Sequence, residues 1–282
     1  MKRHLPLLIF AAALLLRLLV SMQITSGTPS VLRPSPLTDM ATYIRLSGEI
    51  ASGQFPDHYD YQPFYYTVFL PFARIFSGGS LWGPILLQVL LGAGAVWLVW
   101  LGTAMAFGRR AGWAAAILLA LNRVHIFYTP FMLLEVLQSF WLALIFWVTC
   151  LAWRRNRPWL WLADALLLSI ATLTRGNALL FFPGFLLLLL WRNWRKNLAS
   201  PAKWIRLVAL AVGALLLFEL PQLPFAIVNY HYTGRWCGAS TAGEKVLALQ
   251  RTAIGEIHLG RTKEGGYRRL NAAEVEYLKS LK

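Results

Sequence analysis

The chain is built from apolar runs long enough to cross a bilayer, and this restricts its fold more than any other property. A spanning helix needs about 20 apolar residues. Leu5 to Met22 meets this apart from Arg17. Further runs cover Leu81–Ala106, Gly112–Tyr128, Phe131–Trp153, Trp159–Thr174, Asn177–Trp191 and Trp204–Phe225. The expectation is an all-α integral membrane protein with about seven transmembrane helices. Residues 159–191 read as two short spans joined at Arg175-Gly176, because one helix of that length would run about 50 Å, too long for a single crossing. The first run follows Met1-Lys2-Arg3 and resembles a signal peptide. No small-x-small cleavage site follows it, so it reads as an uncleaved anchor.

Charge sets the orientation. The net charge is +15 although only 14% of residues are charged. The basic residues flank apolar spans and form no continuous stripe, which argues for the positive-inside bias of a polytopic protein and against nucleic acid as partner. Lys2, Arg3, Arg109, Arg110, Arg154, Arg155, Arg157, Arg192, Arg195, Lys196, Lys203 and Arg206 mark one side as cytoplasmic; the loops expected on the other side carry only Arg33, Arg45, Arg74, Arg123 and Arg175 before residue 226. The N-terminus then lies in the cytoplasm and residues 226–282 form an extracytoplasmic segment after a transmembrane domain of residues 1–225. Cys150 and Cys237 fall on opposite sides, which argues against an internal disulfide.

Residues 23–81 form a long first extracytoplasmic loop. From Asp39 a helical pattern places Met40, Tyr43, Ile44, Ser47, Ile50 and Ala51 on one face, with Thr38 as cap and Gly53 as stop. This reads as an amphipathic helix at the interface. Phe64 to Phe76, cut by Pro71 and Arg74, reads as a second interfacial element.

Of the twelve acidic residues, only Asp164 falls toward the cytoplasmic side. A membrane protein that gathers carboxylates at one interface is equipped for chemistry there. Asp39, in the first turn of a helix, is kept ionised by the helix dipole and can accept a proton from a hydroxyl. A helix-start Asp without a role is the plainer reading of its spacing. Asp57, His58 and Asp60, with help from Glu135 or His125, carry oxygen and nitrogen ligands suited to a divalent ion; a solvated loop is the alternative. Arg175, in the polar turn Thr172-Leu173-Thr174-Arg175-Gly176, and Arg123, at another outer turn, suit a lipid phosphate arriving from the leaflet. Arg123 can equally snorkel. Asp164 and Glu219 lie inside spans, where ionisable groups mark function by default.

The order of these features resembles a known family. An outer loop opens a helix with an Asp, and Tyr61-Gln62-Pro63-Phe64-Tyr65-Tyr66 follows. Then come Glu135 at an outer helix start, Thr174-Arg175-Gly176, and Pro224, Asn229, Tyr230, Gly234, Ser240, Thr241 and Gly243 in series. This is similar to the GT-C superfamily of polyprenyl-phosphate-dependent glycosyltransferases, in particular family 39, the protein mannosyltransferase and aminoarabinose transferase branch. The resemblance implies an integral enzyme of the plasma or inner membrane. Such an enzyme moves a sugar from a polyprenyl-phosphate donor to a lipid, glycan or protein acceptor outside the cytoplasm. It also implies Asp39 as base, Arg175 as donor-phosphate contact and Glu135 as a site residue; the divalent metal, as a candidate cofactor, rests on the Asp57, His58 and Asp60 cluster alone. The chain departs from the aminoarabinose branch where Tyr61 and Gln62 precede Pro63 in place of an acidic and a basic residue, and where Val228 precedes Asn229 in place of an Arg. Family members usually continue with further spans after the Ser-Thr-x-Gly run, so the stop at Lys282 implies a truncated product, a fragment or a partial pseudoenzyme. A lipid or solute transporter or flippase, and a non-catalytic membrane subunit, are the alternatives. Absent internal repeats and interfacial carboxylates weigh against transport.

Overall fold

The computed structural model describes residues 5–197 and 201–241, with residues 253–254 and 257–258. Lys2, Arg3, Gly243 and Lys282 lie outside the described residues. The chain divides into two units, Met1–Thr241 and Ala242–Lys282. In the second, Ala253–Ile254 (β1) and Ile257–His258 (β2) pair antiparallel.

The first unit is all-α. Its helices are α1 (Leu5–Gly27), α2 (Asp39–Ala51), α3 (Leu70–Ile75), α4 (Trp82–Phe107), α5 (Arg109–Ala120), α6 (Arg123–Phe127), α7 (Glu135–Arg155), α8 (Pro158–Thr174), α9 (Phe181–Asn197), α10 (Pro201–Glu219) and α11 (Leu223–Thr233). Among the described residues, five stretches are long and apolar enough to cross a membrane: Leu7–Gly27, Trp82–Phe107, Glu135–Arg155, Gly176–Trp194 and Pro201–Glu219. The protein is an all-α integral membrane protein. Its surface agrees, because Leu8, Leu19, Leu118, Leu187, Ile205 and Leu216 present exposed aliphatic side chains suited to lipid. Helix α8 is apolar but spans 17 residues, or about 25 Å; α5 covers only 12, about 18 Å.

Two expected boundaries shift. The run Gly112–Tyr128 is not one helix: it breaks at Leu121-Asn122, where the Asn122 side chain accepts a bond from the His125 N–H at 2.9 Å and caps α6. The run Trp204–Phe225 stops at Glu219, before Pro221, and α11 starts afresh with Pro224 in its first turn.

The hairpin read from residues 159–191 forms as two helices. Asn156, in the left-handed region at φ 47°, ends α7, and Pro158 opens α8. Arg192 in α9 donates from Nε to the Trp153 carbonyl at 2.8 Å, so the ends of α7 and α9 meet. At the opposite end the Arg175 turn meets the start of α7. One apolar core joins α7, α8, α9 and α10 around Trp161, Leu168, Phe185, Leu189 and Phe218.

The segment between α1 and α4 folds onto that same opposite end. Thr38 caps α2 by accepting from the Ala41 N–H at 3.4 Å, and Met40, Tyr43 and Ser47 are its buried stripe. They meet Tyr65, Tyr66 and Phe69, a π-helical turn (Tyr65–Phe69) that runs into α3. Gln88 of α4 fixes this layer to the bundle. It accepts from the Tyr65 hydroxyl at 2.9 Å and donates to the carbonyls of Thr129 and Phe131, each at 2.8 Å. One buried amide thereby ties the tyrosine-rich turn to the loop that launches α7.

Candidate active site

The launch of α7 is where sequence-selected residues converge. Glu135, in its first turn, accepts through Oε1 from Arg175 Nη1 at 3.3 Å. Arg175 stands in extended backbone between α8 and the 3-10 turn Gly176–Leu180, so its side chain leaves the hairpin tip. Gln62 lies over that tip, its Nε2 2.8 Å from where a Cβ at residue 176 would stand. Only Nη1 of the guanidinium is engaged by Glu135. Its other donors are free among the described residues to grip an anion.

Glu135 and Arg175 line a cavity of about 650 Å³ of mixed character, with His125, Gln138, Ser139 and Asn177 among its polar walls and Leu119, Val136 and Leu142 among its apolar ones. Several buried polar atoms around it make no hydrogen bond among the described residues: Glu135 Oε2, His125 Nε2 and both amide atoms of Gln138. Buried polar atoms of this kind call for a partner. A second cavity, of about 810 Å³, runs between α7, α8 and α9. Its walls are Ile145, Phe146, Leu168, Phe185, Leu188 and other apolar groups, together with Thr149. The two share Leu142 and Phe181 as walls, so the cavity that carries Arg175 and Glu135 lies beside an apolar groove.

Asp39 is exposed at the start of α2 and lines neither cavity. Tyr43, one turn later, connects it to the site. The Tyr43 phenol is pushed above its ordinary pKa first by burial, then by the negative charges of Asp39 and Glu135 among others, with Arg175 opposing. It therefore stands in the field of all three. Its ring meets Tyr61 and Tyr65 edge-on at 5.7 and 5.5 Å and stacks on Tyr66 at 6.2 Å. Tyr65 and Tyr66 are raised too, foremost by burial. Tyr43, Tyr65 and Tyr66 are thus neutral phenols, which can donate hydrogen bonds but do not act as bases near neutrality.

Arg123 is exposed at the start of α6. Its neighbours Asn122, Val124 and His125 line the cavity of Glu135 and Arg175, and it does not. The candidate metal ligands do not converge. Asp57 is exposed; His58 Nε2 lies 3.0 Å from Asp60 Oδ1, and Asp60 Oδ1 also accepts from the Thr241 hydroxyl at 2.9 Å. Glu135 is paired with Arg175 instead. Among the described residues no group of three or more His, Cys, Asp and Glu side chains is placed to hold a metal ion, so the candidates present do not fit one.

Asp57, His58 and Asp60 line a separate polar pocket of about 410 Å³ with Thr42, Arg45, Glu49, Tyr61 and Tyr66. The last resemblance residues hold that loop in place. Asn229 accepts from the Tyr59 N–H at 2.7 Å and donates to the Gly238 carbonyl at 2.9 Å; Ser240 donates to the Asp60 carbonyl at 2.9 Å, and Tyr232 stacks on His58 at 3.9 Å. Asn229 is thus a strut and not a ligand-facing group. Gln138 and Asn177 were not singled out from the sequence, because isolated amides in apolar runs carry no pattern.

The family model for dolichyl-phosphate-mannose-protein mannosyltransferase matches residues 62–219. That is more than half of the 282-residue chain, and the chain belongs to this family of membrane glycosyltransferases. No curated protein and no solved structure was found to match it.

Proposed function

We propose that the protein transfers a sugar from a polyprenyl-phosphate donor to a hydroxyl acceptor at the extracytoplasmic face of the plasma or inner membrane. The observation that carries this is the adjacency of two cavities that share Leu142 and Phe181 as walls, one with Arg175 and Glu135 and the other an apolar groove. A lipid-linked sugar phosphate has the same two parts in the same order. Its hydrocarbon chain lies along α7 and α9, entering laterally from lipid, and its phosphate reaches the hairpin tip.

In this reading Asp39 takes the proton as the acceptor oxygen bonds to the anomeric carbon. The bond from that carbon to the phosphate oxygen breaks, and the electron pair leaves with the polyprenyl phosphate. The configuration inverts. Arg175, oriented by Glu135, binds the growing charge on the leaving phosphate, and Tyr43 donates from a neutral phenol between them. Arg123, outside the chamber wall, attracts the headgroup without gripping it. No step runs through a metal. The pocket of Asp57, His58 and Tyr61 receives the acceptor.

Transfer from polyprenyl-phosphate-linked sugars by the purified chain in proteoliposomes tests this. Asp39→Asn abolishes transfer and leaves donor binding intact, whereas Arg175→Ala weakens donor binding. Wild-type transfer by Asp39→Asn removes the base assignment, and lipid translocation without transfer replaces the enzyme reading with a flippase.

A further inference from the structure

The first span carries a cation deep among apolar helices. Arg17 of α1 is fully buried, at 0% exposure. Its Nη1 donates to the Ala13 carbonyl at 3.3 Å; its Nη2 donates to the Leu119 carbonyl at 3.4 Å and lies 3.1 Å from His125 Nδ1. The arm fits because residue 92 of α4 is a glycine, where a Cβ would stand 2.9 Å from Arg17 Nε. Among the described residues no carboxylate pairs with it. A buried charge without a counter-charge is strongly destabilising, and ionisable groups facing a bundle interior mark functional paths.

Both Leu119 and His125 are walls of the cavity of Glu135 and Arg175, so Arg17 sits directly behind it. A guanidinium only donates. The His125 nitrogen it meets must therefore accept, which assigns the ring proton to Nε2. That Nε2–H is one of the buried atoms without a hydrogen bond among the described residues. The cavity is thus flanked by the Arg175 cation, engaged by Glu135 through Nη1 alone, by a second cation behind the wall that Leu119 and His125 form, and by an imidazole fixed as a donor in that wall.

We propose that Arg17 and His125 form the buried half of an anion clasp for a phosphate ester, with Arg175 as the exposed half. This rests on the reading that the cavity receives a polyprenyl phosphate, and it names the groups that hold the phosphate. His125 contacts the phosphate through Nε2–H. Arg17 is a positioning residue: it holds the ring in the donating tautomer and supplies positive field through the wall. The phosphate in return offsets the cost of burying Arg17. A free phosphate offers the same chemistry; the apolar groove beside the cavity favours the lipid-borne one.

Binding of polyprenyl phosphate, polyprenol and inorganic phosphate to the full chain in nanodiscs tests the clasp. The wild type prefers polyprenyl phosphate over polyprenol, and Arg17→Gln and His125→Ala each narrow that preference by about tenfold through the phosphate lipid alone. His125→Gln, whose amide N–H reaches near the Nε2 position, keeps most of it, as does Arg17→Lys. Equal loss for both lipids, or a wild-type preference in Arg17→Gln, overturns the proposal. If Arg17→Gln does not insert, His125→Ala against His125→Gln decides on the same criteria. A wild type without phosphate preference defeats the underlying function as well. Inorganic phosphate displacing the lipid at equal concentration contradicts the lipid source.

Discussion

Arg175 and Glu135 are 46% and 40% exposed at the side chain, so their ion pair contributes little to stability, roughly 0–1 kcal/mol. Arg175→Ala should therefore leave thermal unfolding within that margin while lowering polyprenyl-phosphate affinity; a large stability loss instead would mark the pair as structural. Asn229 is the converse case. It is fully buried with two hydrogen bonds to backbone, and Asn229→Ala strands a buried N–H and a carbonyl. We expect a loss of about 1–3 kcal/mol in thermal unfolding. The tyrosines give a pH signature. Tyr43, Tyr59, Tyr65 and Tyr66 all have phenols raised by burial. The unfolded chain ionises near pH 10 whereas the folded chain does not, so their stabilising effect is full below about pH 10 and declines as pH rises beyond it. Unfolding midpoints followed upward from neutral pH should fall beyond that point and not before. Asp39 and Arg175 were legible in the sequence, since one opens a capped amphipathic helix and the other interrupts apolar runs at a polar turn. Arg17 was visible only as a blemish in a span, and nothing in its neighbours revealed that it meets His125 across more than a hundred residues.

The elements were read more easily than their ends. The α8–α9 hairpin followed from charge and length together, and the α2 stripe from its spacing. The run Gly112–Tyr128 misled because Asn122 looks like one polar residue in an apolar stretch, yet its side chain caps α6 and ends the continuity. The small helix matters, since it carries His125 to the cavity wall. Asn122→Ala should cost about 0.5–2 kcal/mol in unfolding and, by loosening α6, weaken phosphate binding in parallel with His125→Ala. Unchanged binding in Asn122→Ala would show that His125 is held from α1 alone. The break after Glu219 was foreshadowed by Pro221 and Pro224. The role of α11 was not, because its contacts with the 57–61 loop are tertiary and leave no periodic trace.

At the scale of the molecule, the membrane class was settled by composition, whereas the adjacency of cavity and groove depends on how α7, α8 and α9 cross and could not be read from any one of them. The expected metal cluster shows the limit of adjacency in sequence: His58 and Asp60 bond each other, and Glu135 turns to Arg175. The account stands or falls on where a donor lies. A polyprenyl-phosphate analogue with a photoreactive group on its chain, cross-linked to the full protein in nanodiscs and mapped by mass spectrometry, tests this most directly. The account predicts labels on groove residues such as Ile145, Phe185 and Leu188, displaced by unmodified polyprenyl phosphate and reduced in Arg175→Ala. Labels scattered over the lipid-facing surface, or confined to other helices and indifferent to competition, would contradict it.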